Sequence, residues 1–99
     1  MLNQAIQLLG LAARARCIST GELVLTNVRS QKAKLVIIAS NASDNTKKKL
    51  TDKCTFYKVP YVWCENSDVL SQAIGQNNRM AVAINDPGFA DKLYNYLKG

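Results

Sequence analysis

Histidine is absent from the 99-residue sequence, which removes the side chain that most often acts as a general base or a metal ligand. The three cysteines, Cys17, Cys54 and Cys64, are an odd number and include no Cys-x-x-Cys pair. This pattern fits neither a zinc site nor a disulfide framework, so Cys54 and Cys64 are expected to be small apolar core residues. We expect the protein to bind no metal and no cofactor.

Glycine-rich phosphate loops are also missing. The five glycines form neither a Gly-x-x-x-x-Gly-Lys-Ser/Thr loop nor a Gly-x-Gly-x-x-Gly turn. The carboxylates at predicted helix starts have a capping role available to them: Glu22, Asp44, Asp68 and Asp86. Because no histidine could activate a cysteine nucleophile, the sequence predicts a protein that is not an enzyme.

Long apolar runs are absent, and none approaches the roughly 20 residues of a membrane helix. The N-terminal segment MLNQAIQLLGLAARARC has no basic region ahead of its apolar residues, which recur at helical spacing. We therefore expect a first helix of a cytoplasmic protein, with no membrane partner.

Positive charge is abundant and lies mainly in one part of the chain. Residues 14–58 carry ten basic and three acidic side chains, whereas residues 59–99 carry three basic and four acidic ones. Such segregation indicates a polyanionic partner, because a summed positive field attracts and holds anions. A basic surface without any partner would have the same composition.

Apolar patterns indicate alternating helices and strands. AKLVIIA, VPYVWC and MAVAI read as buried strands, with Tyr61 and Trp63 packed in the core. Helices are expected at ELVLTNVRS, at about residues 43–54, at residues 67–74 and after Asp86, with Ser19 and Ser67 among the caps. The sequence predicts one domain (residues 1–99) of the α/β class, a three-layer α/β/α sandwich with a mixed sheet of about four strands.

Three polar segments have a composition that suits RNA: STGE, SNASDNTK and GQNNRM. Backbone N–H groups at a helix start bind phosphate, asparagine amides read base edges, and Arg79 neutralises backbone charge. Structural roles remain open for the same residues. Glu22 can close a capping box, Gly21 can relax a turn, and two of the three lysines in Lys47–Lys49 can form a solvated helix face.

A family resemblance rests on STGELVLTNVRSQKAKLVIIASNAS, DKCTFYKVPYVW, LSQAIG and MAVAINDPGFADKL. In order and spacing these segments resemble the kink-turn RNA-binding ribosomal protein family, the large-subunit seven-Ae and thirty-e type. LLGLA, SDNTKKKLTDKC and FYKVP are similar to its small bacterial YlxQ-like branch. The resemblance covers essentially the whole chain. It implies an α/β/α sandwich that grips a sharply bent RNA helix with the start of its second helix and the loop before its last central strand.

The archaeal pattern at that helix start, Gly-Thr-Asn-Glu…Lys, is only partly present. Carried over without gaps, it falls on Thr20, Gly21, Glu22, Leu23 and Thr26, with Glu22 in place of asparagine, Leu23 in place of glutamate and Thr26 in place of lysine. A shift of one residue aligns Gly21 with the family's glycine instead. The loop GQNNRM is more polar and shorter than its archaeal counterpart.

Together, these observations predict a non-catalytic, ribosomal-type protein that recognises a kink-turn or a similar bent internal loop. The expected partner is structured RNA, either ribosomal RNA or a kink-turn RNA, bound by a monomer that can sit on the ribosome. The candidate RNA-binding residues are Ser19, Thr20, Gly21, Glu22, Thr26, Lys32, Asn41, Asn77, Asn78 and Arg79. Two alternatives remain open: an RNA-docking module that partners a ribose methyltransferase-type enzyme, and a protein-interaction domain without RNA.

Overall fold

A computed structural model describes residues 1–98, in which helices and strands alternate along the chain. The elements are α1 (Asn3–Arg14), β1 (Ile18–Thr20), α2 (Glu22–Arg29), β2 (Leu35–Ala39), α3 (Asp44–Phe56), β3 (Tyr61–Cys64), α4 (Ser67–Ala73), β4 (Ala81–Ile84) and α5 (Pro87–Leu97). Within these residues, every helix is too short or too polar to cross a membrane.

The strands form one sheet in the order β1-β4-β2-β3. β2 and β3 are parallel, whereas β4 runs antiparallel to both β1 and β2, so the predicted mixed sheet is confirmed. Because β2 and β4 are antiparallel, the end of β2 lies beside the start of β4, where the Ala39 N–H donates to the Met80 carbonyl at 2.8 Å. The sequence alone could not place the loops after residue 39 and around residues 75–79; both lie at this edge.

Helices cover both faces of the sheet, which confirms the three-layer α/β/α sandwich. On one face α1, α4 and α5 pack Leu9, Leu70 and Leu93 against Ile37 and the rest of that core. On the other face α2 and α3 bury Val28 and Leu50 with Val36, Ile38 and Ala83 of the sheet. β2 is buried along its whole length because its two faces belong to different cores.

Side-chain caps begin α3, α4 and α5, and only the cap of α5, Asp86, is the residue that the sequence predicted. Ser43 Oγ accepts from the Thr46 N–H at 3.2 Å in α3, and Asp86 accepts from the Phe89 N–H at 2.9 Å in α5. Ser67 was predicted to cap α4, and this is wrong: Asn66 caps it by accepting from the Val69 N–H at 2.9 Å. Asparagine and serine are both favourable N-cap residues, so the sequence could not decide whether α4 is capped by Asn66 or by Ser67.

The predicted capping box at α2 is also wrong. The Ncap of α2 is Gly21, and among residues 1–98 no side chain accepts a hydrogen bond from its first turn. Ser19 lies instead inside β1, opposite Ala83 of β4, and is buried. A short strand was expected at Cys17 and Ile18, but β1 continues two residues further, to Thr20, which turns the Ser19 hydroxyl away from the helix start.

β3 is one of the two edge strands of the sheet. Its residues alternate between buried and more exposed positions, although continuous burial was predicted. Val62 and Cys64 are buried against α1, α4 and α5, whereas Trp63 points to the α3 side and is 42% exposed. The predicted core position of Trp63 is therefore wrong. Tyr61 is partly buried and packs against the α2–α3 core, as predicted.

Candidate functional site

The turn from β1 into α2 requires glycine. Gly21 has φ 60° and ψ −136°, a combination that residues with a Cβ atom avoid. This conformation begins α2 without a side-chain cap among the described residues. The Val24 N–H donates to the Gly21 carbonyl at 3.2 Å, which leaves the N–H groups of Glu22 and Leu23 for a ligand. A helix start of this kind presents partial positive charge to a ligand.

Arg79 is held beside Gly21 by the loop between α4 and β4. Its backbone N–H donates to Ser71 Oγ at 2.8 Å, and its Nε donates to Gln76 Oε1 at 2.7 Å. Ser71 is buried in α4, so this loop is anchored to the helix. An added Cβ atom at Gly21 would lie 3.2 Å from Arg79 Nη1, which means that the helix start and the loop form one continuous surface.

An open cleft of about 400 Å³ lies between α2 and α3 at this surface. Its apolar floor includes Val24, Leu50 and Ala81. The charged side chains of its rim are Glu22, Lys49 and Arg79. A cleft with an apolar floor and both charge signs at its rim can accept a flat group that carries hydrogen-bond donors and acceptors along its edge.

Ser19 supports this surface from inside the protein. Its Oγ accepts a hydrogen bond from Asn27 Nδ2 in α2, and another from Asn85 Nδ2, which follows β4, at 2.8 Å. The hydroxyl therefore joins β1 to α2 and to the end of β4. The sequence placed Ser19 among the ligand contacts, but its side chain is engaged by these two amides.

Several of the other predicted residues cluster around the cleft. Asn78 lines it, with the left-handed φ of 56° that asparagine tolerates better than most residues. Asn77 is exposed in the same loop, and Thr20 pairs with Val82 of β4 next to Gly21. Thr26 is exposed one turn into α2, where its hydroxyl donates to the Glu22 carbonyl at 3.3 Å.

Two predicted residues have other surroundings. Asn41 lies at the loop edge of the sheet, but its Nδ2 donates to Ser67 Oγ at 3.1 Å and its Oδ1 accepts from the Ser67 N–H at 2.8 Å. Its amide thus joins the β2–α3 loop to α4. Lys32 is exposed beyond the C-terminal end of α2, the end opposite Gly21, and is not brought to the cleft.

The candidate RNA-binding residues predicted from sequence did not include Thr46, Lys49 and Met80, which also line the cleft. A signal was present for Thr46, because it lies four residues before the inward-facing Leu50 and therefore shares its side of α3. Met80 is 39% exposed, and its role depends on where the loop before β4 ends. The loop is held in place by the hydrogen bond from the Arg79 N–H to Ser71 of α4, so no local sequence pattern indicates where the loop ends.

The thiols of the two buried cysteines are poorly ionisable. Burial raises the pKa of Cys54 to about 11. Burial also raises the pKa of Cys64 to about 11, and the nearby Glu65 carboxylate contributes to the shift. Both residues are therefore apolar packing groups, as the sequence predicted. Residues 1–98 contain no cluster of three or more acidic or cysteine side chains that could hold a metal ion.

Comparison with known proteins identifies the family. Residues 4–94 match the Ribosomal protein L7Ae/L30e/S12e/Gadd45 family. The chain belongs to this family. It is 52% identical over 91 residues to the RNA-binding protein YlxQ of Bacillus subtilis (strain 168), which covers 91% of each chain, so the predicted similarity to the YlxQ branch is confirmed. It is 41% identical to the RNA-binding protein YlxQ of Enterococcus faecium, over 98% of this chain and 94% of that relative.

Solved structures of related chains share the L7Ae-family fold. A Bacillus halodurans protein described as having unknown function superimposes with a TM-score of 0.91 at 42% identity, covering 95% of this chain and 96% of its own. The Giardia lamblia 15.5kD RNA binding protein superimposes with a TM-score of 0.80 at 23% identity, covering 99% and 91% respectively. At that identity the second likeness concerns the fold alone.

Proposed function

We propose that this L7Ae-family chain is a non-catalytic protein that binds structured RNA and recognises a kink-turn or a similarly bent internal loop. The observation that carries the proposal is the contact between Gly21 and Arg79. It combines an uncapped helix start, which suits a phosphate, with a guanidinium group that is already held in place. The two curated relatives are both named as RNA-binding proteins, which supports RNA as the ligand.

The cleft beside Arg79 supports a bent RNA over a regular duplex. A base inside an A-form helix cannot enter a cleft in a protein, because the major groove is deep and narrow and the base is stacked. An unstacked base from a distorted loop could lie on the apolar floor formed by Val24, Leu50 and Ala81. Its edge would then meet Glu22 and Lys49, one of which accepts hydrogen bonds while the other donates them.

Charge distribution supports the same surface. Residues 14–58, which include α2 and α3, carry the excess of basic side chains. Glu22 is the one acidic side chain that lines the cleft, so the surface is not simply cationic. Such a surface favours a ligand with both phosphates and base edges, and we expect part of the affinity to persist when salt screens the phosphate contacts.

The test compares a kink-turn RNA with the same RNA in which the sheared G·A pairs are changed to Watson–Crick pairs. Both affinities are measured across a range of salt concentrations. We expect a preference for the kinked RNA of about tenfold or more, equivalent to about 1.4 kcal/mol, that persists as salt rises. Equal affinities that fall together with salt would contradict recognition of the kink and leave only electrostatic attraction.

We also propose that the chain acts as a cytoplasmic monomer and that its RNA is ribosomal. The basic, RNA-suited surface and the family of ribosomal proteins support this assignment. Sedimentation of the purified protein with and without ribosomal RNA tests the monomeric state and the RNA assignment. A stable dimer, or affinity for ribosomal RNA no higher than for unrelated duplex RNA, would contradict them.

A further inference from the structure

Trp63 lies outside the cleft, on the far side of α3, and it is unusually exposed for tryptophan at 42%. Its ring meets Tyr61 edge-to-face, with centroids 6.1 Å apart, so a neighbour on the same strand packs against it. Lys47 of α3 places its Nζ atom 5.9 Å from the centroid of the Trp63 ring. A half-exposed indole that packs against a tyrosine and lies beside a cation has the chemistry of a nucleobase stacking site.

We propose that Trp63, with Lys47 and Tyr61, is a second RNA contact that stacks an unpaired nucleobase next to the structured element. Trp63 supplies the stacking face, and Lys47 supplies the positive charge for the adjoining phosphate. This inference rests on the proposed function, because it assumes that RNA occupies the Gly21–Arg79 surface. It extends that function to single-stranded nucleotides that flank the bend.

Sheet register connects the two sites. Ala81, which lines the cleft, pairs with Ile38 of β2, and Ile38 pairs with Trp63 of β3. The three residues therefore form one row across adjacent strands, and two strand spacings separate Ala81 from Trp63 by about 10 Å. That separation is short enough for one RNA strand to reach both sites.

The first turns of α3 bridge the sites on the outer surface. Thr46 and Lys49 face the cleft, whereas Lys47 extends over Trp63 on the other side of the same helix. The path between the two sites therefore crosses basic side chains, which suits a phosphate backbone. A protein partner with an acidic, apolar segment is the competing occupant, but continuity with the basic cleft favours RNA.

Trp63 is the only tryptophan in the chain, so its fluorescence reports on this site alone. The experiment titrates the protein with a blunt-ended kink-turn RNA and with the same RNA carrying a short unpaired extension on either strand. A single-stranded oligonucleotide without any kink is titrated in parallel. We expect one of the extended RNAs to quench Trp63 strongly and to bind about fivefold or more tightly than the blunt RNA, since stacking on an aromatic side chain strengthens binding appreciably.

Variants test whether the tighter binding of the extended RNA depends on the Trp63 ring. Trp63→Ala should remove the advantage of the extension and leave the affinity for blunt RNA unchanged, whereas Trp63→Phe should keep part of that advantage. Lys47→Gln should reduce the advantage, and Lys48→Gln, at an exposed neighbouring position, should not. Far-ultraviolet circular dichroism checks that each variant is folded.

The arms of the experiment separate the two proposals. Tight binding of the blunt RNA, with no quenching and no gain from either extension, overturns the stacking site and leaves the proposed function standing. Quenching by the single-stranded oligonucleotide without any preference for the kink supports the stacking site and contradicts kink recognition. If no RNA quenches Trp63 even at low salt, the RNA assignment of this surface is wrong and a protein partner takes its place.

Discussion

Arg79 lies against Gly21, with its Nη1 atom 3.2 Å from the position that a Cβ atom would take on the glycine. The two residues are far apart in the sequence: Gly21 immediately precedes α2, and Arg79 lies in the loop before β4. They meet because β4 pairs antiparallel with β1, so that the start of β4 lies beside the end of β1. A helix start and a guanidinium group thereby become one binding surface.

Arg79→Ala should weaken binding of kink-turn RNA by about 1–3 kcal/mol and reduce the salt dependence of affinity by about one phosphate contact. The physical reason is the loss of a cation that Gln76 already holds toward the ligand surface. Filter binding or fluorescence anisotropy across salt measures both quantities. Lys92→Ala is the matched control, because it removes an equal charge from an exposed position on α5, on the other face of the sheet. Equal losses in the two variants would contradict a specific role for Arg79.

Gly21→Ala should destabilise the protein by about 1–3 kcal/mol, because alanine is strained at the backbone angles of Gly21. It should also weaken RNA binding, since the new methyl group would displace the Arg79 side chain. Gly75→Ala is the control: Gly75 also has a left-handed φ, of 72°, but no heavy atom from the described part of the chain crowds its side-chain position. Urea unfolding and RNA affinity are measured for both. If Gly75→Ala weakens RNA binding as much as Gly21→Ala, displacement of Arg79 is not the cause.

Ser19→Ala should lower the free energy of unfolding by about 1–3 kcal/mol, because it leaves the side-chain amides of Asn27 and Asn85 without their shared acceptor. Its effect on RNA affinity should be small under conditions where the variant is fully folded. Thermal unfolding and RNA titration of the same preparation measure the two effects. A large loss of affinity without a loss of stability would mean that the Ser19 hydroxyl contacts RNA directly.

Cys54 and Cys64 should resist thiol reagents in the folded protein. With a pKa of about 11 against an ordinary value of 9.0, each holds about a hundredfold less thiolate at pH 8, and both are buried. A colorimetric thiol assay should therefore detect only the half-exposed Cys17 quickly, and all three cysteines after denaturation. Rapid reaction of two or three thiols in the native protein would contradict the buried positions.

The same two thiols should make stability depend on alkaline pH. Their pKa is higher in the folded state than in the unfolded state, so the unfolded chain releases protons first as pH rises. Their contribution to stability is complete below about pH 9 and falls as pH increases toward about 11. Urea unfolding of the Cys54→Ala variant, compared with the unmodified protein from pH 8 to 10.5, isolates this effect. A parallel pH dependence in the two proteins would contradict it.

The fold was predictable from sequence because long apolar runs and capping residues act locally. AKLVIIA is apolar without alternation, and the strand it forms is buried on both faces. Asp86 and Pro87 begin α5 as their residue types require. A mixed sheet could be predicted from the sequence. Which strand runs antiparallel to its neighbours, namely β4, could not.

The candidate site was less predictable because tertiary contacts decide which way side chains point. Ser19 has the spacing of a capping box, yet pairing with β4 extends its strand and turns the hydroxyl inward. Trp63 reads as a core residue in VPYVWC, but strand order leaves β3 at the edge, where α3 covers it incompletely. Arg79 was found from the loop composition and from the family resemblance, whereas its contact with Gly21 is visible only in three dimensions.

The central claim is that RNA binds at the surface shared by Gly21 and Arg79. The most direct measurement is a ¹H–¹⁵N correlation spectrum of the protein titrated with a kink-turn RNA, with every backbone amide monitored separately. We predict the largest shifts at residues 20–23 and 76–80, with smaller ones at the start of α3 and little change in α1 and α5. Shifts centred on α1 and α5, or distributed evenly over the basic surface, would contradict the account.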